Sequence, residues 1–173
     1  MSLITTIRAD SEYKKFKTIL LKVREKLNVD RDRAEALSMH AGRTSRRLHG
    51  TKQYSPKSVL DASLNDLACR SRLVEIRVQC SIQIDLLHDA AKAIKHYITT
   101  EFVDELNAYK TVGQRNALID RVVSAALVTE SEGAALLKLL DDLISDIDKS
   151  SYQLRVTTDL LRLMADTKGG QVV

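Results

Sequence analysis

The stretch that decides the fold is Val74–Leu86, which reads VEIRVQCSIQIDL and carries an apolar side chain at every second position. Strict alternation over thirteen residues is typical of a strand with one buried face. A strand needs a partner, however, and the nearest second candidate, Gln153–Asp159, is short. Turn residues, which would bracket a strand, are also missing on both sides. The alternation therefore has to be weighed against a helical alternative.

A longer apolar series surrounds this stretch and has helical spacing. Its members are three or four residues apart, which is one face of an α-helix; they are Leu73, Ile76, Cys80, Ile84, Leu87, Ala91, Ile94, Ile98, Phe102 and Leu106. Residues two apart are about 200° apart around a helix, so the alternation adds apolar residues on the opposite face. We predict a buried central helix from about 56 to 106 that must be covered from more than one side.

Composition predicts the fold class. The 6 glycines and 1 proline are about 4% of the chain, against roughly 12% in average proteins, so turns are few and elements long. Aromatic residues make up 4% and tryptophan is absent, which indicates an aliphatic core of the kind found in helical bundles. We predict an all-α, elongated helical bundle with a long central helix and a coiled-coil-like C-terminal helix.

Local signals predict where the helices begin and end. Ser55-Pro56 should start the central helix, and a break near Thr99-Thr100 would shorten a helix that is otherwise roughly 77 Å long. Capping boxes at Thr111–Gln114 and Thr129–Glu132 predict two further helix starts. The last helix has a heptad series: Leu136, Leu140, Leu143, Ile147, Ser150, Leu154, Thr157, Leu161 and Met164. We expect one all-helical domain over residues 1–166 and a flexible tail over 167–173.

Basic residues are concentrated in a turn at about 43–57. No acidic residue occurs from Ala36 to Leu60, whereas the turn contains Arg43, Arg46, Arg47, Lys52 and Lys57. These side chains would bind phosphates without reading sequence, and Tyr54 would stack on an unpaired base. The same pattern is also common on a solvated surface, and a single tyrosine is more often a packing residue.

Enzymatic signatures are missing from the sequence. It has no phosphate-binding glycine loop, nucleophile elbow or cysteine pair at zinc spacing. Cys69 and Cys80 are too far apart on one helix for a disulfide and are expected to be free thiols. No apolar run has the length of a membrane span and the start of the chain lacks a signal peptide, so we expect a cytoplasmic protein. We expect no cofactor, no metal and no small-molecule substrate.

Two hypotheses of different classes remain. The first is a non-enzymatic structural or assembly protein that self-associates through its long central and C-terminal helices. Its predicted interface residues are Ile76, Cys80, Ile84, Leu87, Leu140, Leu143, Ile147 and Leu154. The second is a sequence-independent nucleic-acid-binding accessory factor that uses the basic turn. A monomeric bundle that covers its own apolar surface is the third, simpler alternative.

Overall fold

The computed structural model describes residues 2–51 and 54–169, which are almost entirely helical. The described residues are 92% helical and contain no strand, which confirms the all-α class. The alternating stretch Val74–Leu86 is part of a helix, as predicted from the longer apolar series. The helices in chain order are α1 Leu3–Ala9, α2 Ser11–Lys26, α3 Val29–Ala41, α4 Thr44–Thr51, α5 Pro56–Glu101, α6 Val103–Asn107 and α7 Val112–Gly169.

Most of the predicted helix starts are confirmed by their capping contacts. Ser55 accepts a hydrogen bond from the Ser58 backbone N–H at 3.1 Å, and Pro56 is the first residue of α5. Thr111 accepts from the Gln114 N–H at 3.2 Å, and the Gln114 side chain accepts from the Thr111 N–H at 3.4 Å, so the first capping box is formed. α5 ends at Glu101, directly after Thr99-Thr100, where the helix break was predicted.

The second capping box is wrong, because α7 continues through it. Thr129 is buried within the helix, and its hydroxyl donates to the Ala125 carbonyl one turn earlier at 3.0 Å. A threonine that bonds backwards in this way does not cap the residues that follow it. The Arg24 Nε, from α2, also donates to the Thr129 hydroxyl at 2.9 Å. Thr129 is therefore a packing position where α2 meets α7.

The contacts divide the chain into two compact units that share the two long helices. Unit 1 consists of the chain up to Val29 together with Val78–Leu137. Unit 2 consists of Asp30–Arg77 together with the chain from Lys138 onward. Each unit therefore contains one part of α5 packed against one part of α7. The shorter helices α1 and α2 complete unit 1, and α3 and α4 complete unit 2.

In unit 1, α5 and α7 pack closely together at Gly133. A side chain here would place its Cβ 2.6 Å from Ile84 Cδ1 and 3.4 Å from Leu27 Cδ2, so the absence of a side chain lets α5 and α7 approach. The Cys80 thiol contacts the Gly133 carbonyl oxygen at 3.7 Å in the same place. Glycine costs about 1 kcal/mol in a helix interior, and here the close packing offsets that cost.

Unit 2 has a small apolar core where α4, α5 and α7 meet. Leu48, Val59, Ala62 and Leu154 are buried together. Tyr54 and Leu161 pack against this cluster from its edge. The buried face of α5 in this unit is the series Val59, Ala62, Asp66, Cys69, Leu73 and Ile76. Cys69 in unit 2 and Cys80 in unit 1 are both buried and form no disulfide, as predicted, and burial raises the pKa of the Cys69 thiol.

Candidate functional site

The structure separates the residues of the predicted basic turn. Arg46 and Arg47 are exposed on α4, and Lys57 is exposed in the first turn of α5. The ion pairs found among the described residues involve none of these three side chains. Lys52 lies outside the described residues. Three of the five predicted cations are therefore available on the surface of unit 2.

Arg43 differs from the others because its side chain is fully buried. Its Nε and Nη2 donate to the two carboxylate oxygens of Asp66, each at 2.9 Å, and both side chains are 0% exposed. The Ser45 hydroxyl donates to Asp66 Oδ1 at 2.7 Å and accepts from Arg43 Nη2 at 3.2 Å. This buried bidentate pair occupies the guanidinium, so the prediction of Arg43 as a phosphate-binding residue is corrected to a role in the interior.

The remaining guanidinium nitrogen of Arg43 is held by α7. Arg43 Nη1 donates to Asp146 Oδ2 at 3.0 Å, and His40 Nε2 lies 2.7 Å from the same oxygen. Burial alone would lower the pKa of Arg43, but the hydrogen bonds and charges of Asp66 and Asp146 outweigh it and raise that pKa. Partial burial likewise would raise the pKa of Asp146, but His40 and Arg43 lower it. The cluster therefore links α3, the turn before α4, α5 and α7 by hydrogen bonds and charge.

Tyr54 is a packing residue of unit 2. Its ring is half-buried against the core cluster, and its hydroxyl lies 3.1 Å from His49 Nδ1. The two rings meet edge to face, with centroids 6.1 Å apart. A ring held from two sides has little free face for a nucleotide base, so the structure favours the packing interpretation over stacking.

The acidic residues of α7 neutralise basic residues of α5 and the α3–α4 turn. Asp141 accepts from Arg77, Asp148 accepts from Arg70, and Asp146 accepts from Arg43. These ion pairs were not predicted from the sequence. Asp66 was also missed, although its spacing from Ala62 and Cys69 places it on the buried face of α5, where an unpaired carboxylate would be costly.

The predicted interface residues lie inside the chain's own core. Seven of them are buried and Ile84 is half-buried. The physical reason is that α5 and α7 of the same chain pack their heptad-spaced faces against each other within each unit. As a group they are therefore corrected from an intermolecular surface to the intramolecular core: Ile76, Cys80, Ile84, Leu87, Leu140, Leu143, Ile147 and Leu154.

The opposite face of α5 remains uncovered in both units. In unit 1, Val78, Ile82 and Leu86 are 44%, 51% and 48% exposed. In unit 2 the exposed residues at similar spacing are Leu60, Leu64 and Leu67. The alternation in Val74–Leu86 is thus explained by two apolar faces of one helix: Ile76 and Cys80 point inward, while Val78, Ile82 and Leu86 point outward. The chain covers one of these faces.

Unit 2 also contains an apolar groove between the start of α5 and the end of α7. It has a volume of about 350 Å³ and is lined by Pro56, Val59, Leu60, Ser63, Thr158, Leu161, Arg162 and Ala165. The lining carries one charged side chain, Arg162, and two hydroxyls. Such a lining favours contact with apolar side chains over recognition of a polar ligand.

Within residues 2–51 and 54–169, no three histidine, cysteine, aspartate or glutamate side chains are grouped to hold a metal ion. Over the same residues, none of the helices combines the length and the apolar character needed to cross a membrane. Comparison of the chain with known protein families, curated proteins and solved structures finds no match.

Proposed function

We propose that this chain is a non-enzymatic assembly protein whose copies associate through the uncovered apolar face of α5. The observation that carries the proposal is the row Val78, Ile82 and Leu86, which lies opposite the buried face of the helix in unit 1. Contiguous apolar patches on soluble proteins mark interaction sites, whereas singly scattered apolar residues do not. These three residues are spaced four apart, so they form one continuous row.

The expected gain from covering this row is substantial. Complete burial of a Val, Leu or Ile side chain contributes about 1.5–3 kcal/mol, and each of these side chains is still about half exposed. The row therefore offers a few kcal/mol on association, and in a symmetric pair both copies contribute it. A stable interface needs about 800 Å² from each partner, so neighbouring polar residues of α5 and other surfaces must join the contact.

Ile82→Asp is expected to lower the mass of the assembly without unfolding the chain. The carboxylate would be desolvated in the interface, but in the free chain it faces solvent on a helix. Light scattering after size exclusion should give wild-type masses above 19.4 kDa and a lower mass for the variant, with unchanged far-UV circular dichroism.

Ser131→Asp is the matched control, because it introduces the same charge at an exposed polar position of α7 instead of on the α5 row. Its mass should equal that of the wild type. A wild-type protein that is a 19.4 kDa monomer at every concentration measured would overturn the proposal and favour the self-sufficient bundle.

A second candidate function, sequence-independent binding of nucleic acid, is supported by Arg46 and Arg47. Both are exposed on α4, and neither takes part in the ion pairs of the kind that involve all three arginines of α5. Lys57, at the start of α5 in the same unit, is exposed in the same way. Cations of this kind bind phosphates through counterion release, without recognising bases. In an assembly, weak contacts of several copies would add by avidity.

Changing Arg46 and Arg47 together to Ala is expected to weaken binding of a single-stranded oligonucleotide. Two lost phosphate contacts should reduce the slope of log K against log salt by about 1.4. Fluorescence anisotropy over a salt series measures this slope, and the double variant Lys14→Ala and Lys17→Ala, on the exposed face of α2, is the control. An equal loss in both variants would mean a general charge effect and would refute a role for α4.

A further inference from the structure

The end of α7 is a helix that the chain itself leaves largely uncovered. Leu154 is the last buried residue of α7 over the part of the helix up to residue 166, and the helix continues to Gly169. From 155 to 166 every residue is exposed or half-buried. Isolated helical segments of this length are marginal in water, so their stability normally depends on packing.

An apolar row lies on the side of this segment opposite the core. Tyr152, Val156, Leu160 and Leu163 follow each other at spacings of four, four and three residues. All four are exposed, from 40% at Val156 to 69% at Tyr152. This spacing is that of one face of an α-helix. That face lies half a turn around the helix axis from the face of Leu154.

Charges of alternating sign line one flank of the row. Arg155, Asp159, Arg162 and Asp166 are spaced four, three and four residues apart, which places them on the same side of the helix. All four are exposed, and the ion pairs among the described residues do not involve them. The other flank, at Gln153, Thr157 and Met164, is uncharged.

The charge pattern distinguishes between the two orientations of a symmetric helix pair. In a parallel pair, opposite flanks meet, so the charged flank would face the uncharged one. In an antiparallel pair the same flank of each helix meets itself, in reversed order. An alternating series then places each cation opposite an anion, and such complementarity favours one orientation and register.

We propose that the ends of α7 from two copies of this chain pair antiparallel, with Leu160 close to the two-fold axis. In this register Arg155 faces Asp166 of the second copy, and Asp159 faces Arg162 of the second copy. Val156 then lies near Leu163 of the second copy, so the apolar rows cover each other. The pairing rests on the proposed self-association but uses a surface different from the α5 row.

Two different self-complementary surfaces on one chain have a consequence for assembly. A chain with one such surface closes as a dimer, whereas a chain with two can build larger closed or extended assemblies. The α5 row and the end of α7 would together supply these two surfaces. Removal of one of them should therefore leave an assembly held by the other.

Charge exchange in the Ile82→Asp background tests the α7 pair separately from the α5 row. The parent Ile82→Asp protein should have twice the chain mass of 19.4 kDa. One variant adds Arg155→Asp and Arg162→Asp, which makes the flank wholly acidic. The other adds Asp159→Arg and Asp166→Arg, which makes it wholly basic. Each variant alone should be a 19.4 kDa monomer, because its flank repels itself.

Mixing the two variants should restore the doubled mass, and high salt should weaken the mixed pair by screening. The α7 proposal would be overturned if each charge variant alone had the same doubled mass as the Ile82→Asp parent. It would also be overturned if the mixture of the two variants stayed monomeric. If Ile82→Asp instead leaves the wild-type mass unchanged, the α5 proposal fails. The same charge exchange in the wild-type background then still reports on α7. Unchanged circular dichroism in every variant shows that folding is retained.

Discussion

Replacing Asp66 with Ala is expected to lower the free energy of unfolding by about 3–5 kcal/mol, the usual cost of leaving a buried charge without its partner. Arg43 and Asp66 are both 0% exposed, and they form two parallel hydrogen bonds. Without Asp66, the guanidinium keeps one carboxylate partner, Asp146, at the edge of the cluster, and the Ser45 hydroxyl loses its acceptor. Denaturant unfolding followed by circular dichroism measures the loss.

Asp148→Ala provides the matched control, because it removes one carboxylate from an exposed ion pair. Arg70 and Asp148 are 44% and 50% exposed, so the loss should be at most about 1 kcal/mol. Replacing both buried residues, by Arg43→Met and Asp66→Leu, should destabilise less than Asp66→Ala because no charge is left unpaired. Equal losses for Asp66→Ala and Asp148→Ala would show that the buried pair has no special role.

The sequence was a good guide to the helices and a poorer guide to the surroundings of individual charges. Few glycines and prolines and the long apolar series were sufficient to predict the fold class and the two long helices. The position of Arg43 was not predictable from its neighbours, which are polar and basic. Its burial depends on Asp66, Asp146 and Ser45, whose side chains meet it only in the folded chain.

The candidate surfaces show a second limit of sequence reasoning. Apolar periodicity identifies a face that must be covered, but it does not tell whether the same chain or another copy covers it. Cys80 contacts Gly133 of α7 and Ile76 is buried within its own unit, whereas Val78 and Ile82 remain exposed. The helix start predicted at Thr129–Glu132 is wrong for a related reason. A capping-box pattern inside a strongly apolar helix does not interrupt that helix, because tertiary packing outweighs local preference.

Leu140→Ala is expected to lower the free energy of unfolding by about 2–5 kcal/mol, because it removes buried methyl groups and leaves a cavity between α5 and α7. Leu140 is 0% exposed in unit 2, although its heptad position had predicted an intermolecular contact. The two locations predict different results. If Leu140 is a core residue, the variant should be less stable than the wild type and keep the wild-type assembly mass. If it is an interface residue, the variant should have a lower assembly mass, while its single chain stays equally stable.

Val128→Ala is the control for this change, because Val128 is an apolar residue of the same helix that is 52% exposed. Its replacement should change the free energy of unfolding by no more than about 0.5 kcal/mol. Denaturant unfolding gives the stability, and light scattering gives the mass of each variant. A Leu140→Ala protein as stable as Val128→Ala but of lower mass would return Leu140 to an interface between copies. The opposite result places the heptad face of α7 in the core and leaves the exposed rows of α5 and α7 as the surfaces for assembly.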